Sequence, residues 1–176
     1  LVLVDSVVKH ELADSPYNKR RASCERVAKR LGIETLRDAD MDMLDSVKSD
    51  ITAEDYFRAK FVIEEKDRVL AVCDALVKND FDTVGRCMYE THRGLSKDYE
   101  VSCEELDYLN EIAKECGVTG SRIMGGGFGG CTINLVRNEL LPGFIAKAKE
   151  QFNAKYGHEP KVYEVIISDG AHKIED

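Results

Sequence analysis

No run of this chain is apolar for long enough to span a membrane, and none of its six cysteines stands in a C-x-x-C pair. The first absence leaves no transmembrane helix to be read from the sequence. The second, with no secretory leader in view, makes a disulfide framework and a structural zinc site improbable readings and makes the cytosol the expected compartment. Net positive charge is also missing. The formal charge is −8, and a chain so acidic is not built to bind a phosphate backbone. One locally basic stretch, Lys19-Arg20-Arg21 with Arg26, Lys29 and Arg30, reads as a solvated helix face. No His, Cys or carboxylate cluster has metal-ligand spacing, and there is no internal repeat, low-complexity tract or linker.

What remains is ordinary for one domain. The 176 residues are 43% hydrophobic and 33% charged, enough to bury a sizeable core. The chain opens on Leu1-Val2-Leu3-Val4, which reads as a strand buried on both faces and entered mid-fold; a piece of a longer polypeptide is the expectation.

The most informative stretch is GSRIMGGGFGGCTINLV at 120–136, in which Gly125, Gly126, Gly127, Gly129 and Gly130 surround Phe128. Such a run is entropically costly and persists where positive φ or close backbone approach is required. Cys131, Ile133 and Leu135 alternate with Thr132 and Asn134 as in a strand. A tight connection between two paired strands is therefore expected, with bare N–H groups open to an anion. An unliganded glycine hairpin is the alternative. Gly125, Gly127 and Gly130 also fit G-x-G-x-x-G, but the dinucleotide motif needs a helix at the third glycine, and a strand follows here.

Apolar periodicity places helices over 18–31, 52–78, 81–92, from Ser102-x-x-Glu105 to about 116, and over 139–156. In the second, Val62, Val69, Cys73 and Leu76 form the stripe, widened by Ile63, Leu70 and Val77. In the third, Phe81, Val84, Cys87 and Met88 face inward. A last strand is expected at 162–168. Strand, helices, hairpin, helix, strand is the order of an α+β domain, a mainly antiparallel sheet with helices packed on one face.

Three segments now carry a resemblance. SRIMGGGFGGCTINLV at 121–136, CMYETHRGLSKDYEVSCEELDYL at 87–109 and VKHELADSPYNKRRASCE at 8–25 are similar, in order and spacing, to segments of galactokinases. The glycine loop alone would suggest only the wider GHMP small-molecule kinases, as their third motif. The resemblance runs from Val2 to the terminal SDGAHKI, and it covers only the C-terminal part of such an enzyme. The G-E-H-T-D-Y-type sugar segment, the G-L-S-S-S-A-type phosphate loop and the catalytic aspartate in its M-D-Q-type context are not in this chain. Residues 1–176 are thus expected to be the C-terminal domain, with the catalytic half absent.

The resemblance implies an ATP-dependent kinase acting on the anomeric hydroxyl of galactose. It implies ATP and Mg2+ bound mainly by the other half, a monomeric protein, and neither nucleic acid nor membrane as partner. No residue here inherits a catalytic or metal-binding role. Tyr17 matches the family tyrosine whose hydroxyl contacts the sugar; apart from the resemblance, a tyrosine packing its ring in a loop would be the simpler reading. Residues 125–130 match the loop beside the phosphates. Met124 stands where the family usually has threonine, and Pro16 where it often has an acidic residue. His92 is expected to be a structural hydrogen-bonding histidine, and His10 and Arg93 receive no chemistry. Asp98, Tyr99 and Glu100 are expected to organise the loop before Ser102. Three other readings fit the same residues: a kinase for N-acetylgalactosamine or arabinose, a non-catalytic sugar sensor on the same fold, or a lone interaction domain.

Overall fold

The structure, a computed structural model, describes residues 1–8, 17–171 and 173. Pro16 and His10 lie outside the described residues. Four short strands form one antiparallel sheet: β1 (Val2–Asp5), β2 (Gly120–Ile123), β3 (Cys131–Leu135) and β4 (Lys161–Glu164), in the order β2-β3-β1-β4. Val2 stands opposite Asn134 on one side and Glu164 on the other. Among the described residues six α-helices accompany it: α1 (Tyr17–Leu31), α2 (Met41–Ser46), α3 (Ala53–Val77), α4 (Phe81–Lys97), α5 (Glu104–Glu115) and α6 (Leu141–Tyr156). Among the described residues no helix is long and apolar enough to cross a membrane.

The helix-facing side of the sheet is covered by α5 and α6, whose Leu109, Ile112, Phe144, Ala148 and Phe152 close over Val2 and Val4. The α4 helix seats directly on β2. A Cβ at Gly85 would come within 1.9 Å of the Thr119 carbonyl oxygen, so only glycine permits that approach. A second cluster, built on Val27, Leu36, Leu44, Ala59 and Ile63, binds α1, α2 and α3. A third, Phe61, Tyr99 and Val101, joins α3 to the segment before α5.

Several expectations shift. The β1 strand buries Val2 and Val4 only, while Leu3 is half-buried and Leu1 exposed, so it is covered on one face. In β3 the inward face is polar: Thr132 and Asn134 are fully buried. Asn134 Nδ2 reaches the Val2 and Thr132 carbonyls and Thr132 Oγ1 at 3.1–3.3 Å, which makes that burial tolerable. The α3 stripe is buried only in its first half. Val69, Leu70, Leu76 and Val77 are exposed, and so is Phe81 at the start of α4.

Thr52 caps α3, accepting from Asp55 N at 3.1 Å. The capping box at Ser102 does not form. Cys103 precedes α5, and the Ser102 hydroxyl donates instead to Asp107 Oδ1. The α4 helix runs on to Lys97, past its expected end at 92, and buries Thr91, His92 and Gly94. The last strand stops at Glu164 because its partner β1 ends, with one further bond from Val165 N to the Leu1 carbonyl at 3.0 Å. The basic stretch is not uniformly solvated: Arg21 is exposed, but Arg20 is buried.

Candidate functional site

The glycine loop connects β2 to β3, which pair antiparallel, and Met124 N donates to the Cys131 carbonyl at 2.9 Å to close it. Its backbone is left-handed at Gly125 (φ 83°), Gly127 (84°), Gly129 (150°) and Gly130 (80°), and also at Phe128 (62°). The two reasons for such a glycine run separate along the loop. A Cβ at Gly127 would lie 2.1 Å from the Val101 carbonyl oxygen, and one at Gly129 2.7 Å from that of Val8. Gly125 and Gly126 would meet nothing within 4 Å. The C-terminal half of the loop therefore packs on its own domain, and the N-terminal half is open.

That open half borders a cleft of about 620 Å³ between α1, α3, α4 and the segment 99–101. Tyr17, the first residue of α1 and 45% exposed, stands on the same wall system, with Phe61, Leu95, Tyr99 and Val101 as its apolar floor. Tyr17 and Gly125–Gly126, more than a hundred positions apart, thus face one space. The cleft also takes in Arg122, whose Nη1 donates to the Ile123 carbonyl at 2.9 Å. On another wall Glu65 accepts from Thr91 Oγ1 at 2.8 Å and from Arg68 Nε at 2.8 Å. Sequence reasoning missed Glu65 and Thr91, which sit on different helices with no shared spacing. Arg122 lay in a quoted motif but received no role.

On α1 and α3 the polar residues Ser23, Asp55 and Arg58 are buried, whereas Arg26 is exposed. Arg26 grips Asp55 with two hydrogen bonds, 2.6 and 3.0 Å, and these hold the Asp55 carboxyl below its ordinary range although burial opposes them. Arg58 donates to Ser23 Oγ at 3.0 Å and pairs with Glu54. Burial pushes the Tyr99 phenol up, so it stays neutral. His92 is buried, with Nε2 3.2 Å from Asp107 Oδ1. Burial alone would raise the Asp107 carboxyl, but hydrogen bonds from His92, Ser102 and Ser96 outweigh it and hold the group far below the usual carboxylate range. Arg93 is exposed, 3.4 Å from Asp98, and lines a separate cleft of about 770 Å³ on the far side of α4. Met124 is exposed at the shoulder of the loop. Among the described residues no group of three or more His, Cys, Asp or Glu could hold a metal ion.

A family profile described as GHMP kinases C terminal matches residues 73–156. Curated galactokinases align along almost the whole chain. The one from Clostridium beijerinckii is 39% identical over 180 residues, 99% of this chain and 46% of its own length. The one from Homo sapiens is 40% identical over 172 residues, 97% of this chain and 43% of its own. This chain is similar to galactokinases along almost its whole length. Its fold agrees: the crystal structure of Lactococcus lactis galactokinase complexed with galactose superposes with a TM-score of 0.84 at 29% identity, over 92% of this chain and 43% of that one. The L. major mevalonate kinase, solved with R-mevalonate, matches at a TM-score of 0.54 and 15% identity, a likeness of fold alone. The chain spans somewhat under half the length of the curated galactokinases it matches.

Proposed function

We propose that this chain is the C-terminal domain of a galactokinase that moves the γ-phosphoryl group of ATP to the anomeric hydroxyl of galactose. The observation that carries the reading is that Tyr17 and the open glycines Gly125 and Gly126 border one cleft. Phosphoryl transfer asks a protein chiefly for positioning and for neutralisation of spread negative charge. In this reading the Tyr17 hydroxyl orients the sugar, one donor and acceptor on a rigid apolar ring. The open half of the loop faces the phosphate side, where its small residues admit close approach. Arg122 adds positive charge at the same end. In the same reading the general base, the phosphate loop and most of the Mg2+ ligands come from the other half of the enzyme. The exposed apolar residues Val69, Leu70, Leu76 and Val77 support a domain that packs against more protein.

The test is turnover of the purified full-length protein with ATP, Mg2+ and galactose, followed as sugar 1-phosphate beside calorimetry with galactose alone. Turnover upholds the reading. Galactose binding with no turnover would replace it with a sugar sensor on the same fold.

A further inference from the structure

We propose that Arg20 is a positioning residue that couples the first turn of α1, which carries Tyr17, to the glycine loop. The inference rests on the reading of the cleft given above.

Arg20 follows Tyr17 by three residues, on the same turn of α1. It is 7% exposed, in a run of basic residues whose spacing suggests only solvent. Its Nε donates to the Tyr99 carbonyl at 2.9 Å and its Nη2 to the Glu100 carbonyl at 2.5 Å. The guanidinium carbon stands 5.4 Å from the centre of the Phe128 ring. One planar side chain thus touches both the segment before α5 and the tip of the glycine loop.

The segment it grips is itself the floor under the loop. Glu100 holds a left-handed φ of 53°, a conformation that costs free energy in a residue with a Cβ and persists only when its surroundings impose it. One residue on, the Val101 carbonyl receives Phe128 N, and the same carbonyl leaves no room for a Cβ at Gly127. The chain of contacts is therefore Tyr17 turn, Arg20, carbonyls 99 and 100, carbonyl 101, residues 127–128. Its links are one turn of helix, the two Arg20 hydrogen bonds, the backbone from 100 to 101, and the hydrogen bond from Phe128 N. Arg58 stands close enough to oppose the Arg20 charge, and Glu100 Oε2, 3.8 Å from Nη2, offsets it. A guanidinium meets two carbonyls with a fixed fork; an ammonium on a lysine stem cannot reproduce both bonds.

The experiment uses the full-length protein with Arg20→Met, Arg20→Lys and, as a stability control in the core between α6 and the sheet, Phe152→Leu. Two quantities are read: hydrogen exchange of peptides covering 17–23 and 120–131, and steady-state kinetics. Arg20→Met should speed exchange in the glycine loop and lower kcat/KM for galactose, each roughly tenfold or more, the size expected when a charged hydrogen-bonding group is removed. Arg20→Lys should recover only part. Phe152→Leu should lower the melting temperature while leaving loop exchange and turnover per folded molecule unchanged. The proposal is overturned if Arg20→Met behaves like Phe152→Leu. Faster loop exchange with unchanged kinetics in Arg20→Met, Tyr17→Phe and Gly127→Ala alike would uphold the coupling and remove the reading of the cleft instead.

Discussion

Replacing Gly127 and Gly125 in turn by alanine separates two costs that a glycine-rich loop usually confounds. Both residues are left-handed, at 84° and 83°, so each alanine carries the same conformational cost, about 1–2 kcal/mol. Only at position 127 does the added methyl collide. It would sit 2.1 Å from the Val101 carbonyl oxygen and 2.9 Å from Val101 Cβ, whereas at 125 nothing lies within 4 Å. Relieving the overlap means shifting backbone on one side or the other, an overpacking cost of about 1–3 kcal/mol. The shift also pulls Phe128 N from the same carbonyl, a further cost of about 0.5–1.5 kcal/mol. Gly127→Ala should therefore destabilise by about 2–4 kcal/mol more than Gly125→Ala, read from paired urea denaturation of the full-length protein. Gly127→Ala should also depress kcat, since the loop end that borders the cleft moves with it. If the two variants unfold within about 0.5 kcal/mol of each other, a spread ordinary for substitutions at tolerant sites, the close-approach reasoning fails.

In the full-length protein Tyr17→Phe should raise the galactose KM by about two- to tenfold, the loss of one neutral hydrogen bond, with ATP kinetics unchanged; an unaltered galactose KM would take Tyr17 out of the site. The 176-residue chain by itself should show no sugar phosphorylation and should self-associate through its exposed α3 residues; turnover near the roughly 1–100 s⁻¹ of ordinary kinases would show that the chemistry resides here. Asp107 supplies the pH test. Its folded carboxyl is depressed by His92, Ser102 and Ser96, so its contribution is present above the unfolded carboxylate range and is lost as pH falls toward the folded value. Asp107→Asn should be less stable than wild type at neutral pH and lose less on acidification from pH 5 downward, measured as urea midpoints; parallel pH profiles would show that the network is not coupled to folding.

Local signals in this chain were legible because their causes are local. The periodicities of α1, α5 and α6 depend on neighbours a few residues away. The glycine run announced unusual backbone for the same reason: no other residue takes repeated positive φ without cost. The likeness to galactokinases was equally readable, since it lies in the order and identity of residues. Burial was not. Val69, Leu70 and Leu76 continue a helical stripe that looks like core, yet they are exposed because no element among the described residues covers them. Thr132 and Asn134 occupy the polar phase of a strand and are buried, with Asn134 Nδ2 reaching the Val2 carbonyl of the paired strand and Thr132 on its own. Arg20 and Arg21 are adjacent and alike, and only packing makes one a clamp and the other a solvated charge. The meeting of Tyr17 with Gly125 and Gly126 belongs to the same class. Sequence records what each residue can do, and the long-range packing of α1, α3 and α4 against the sheet decides which of them do it together.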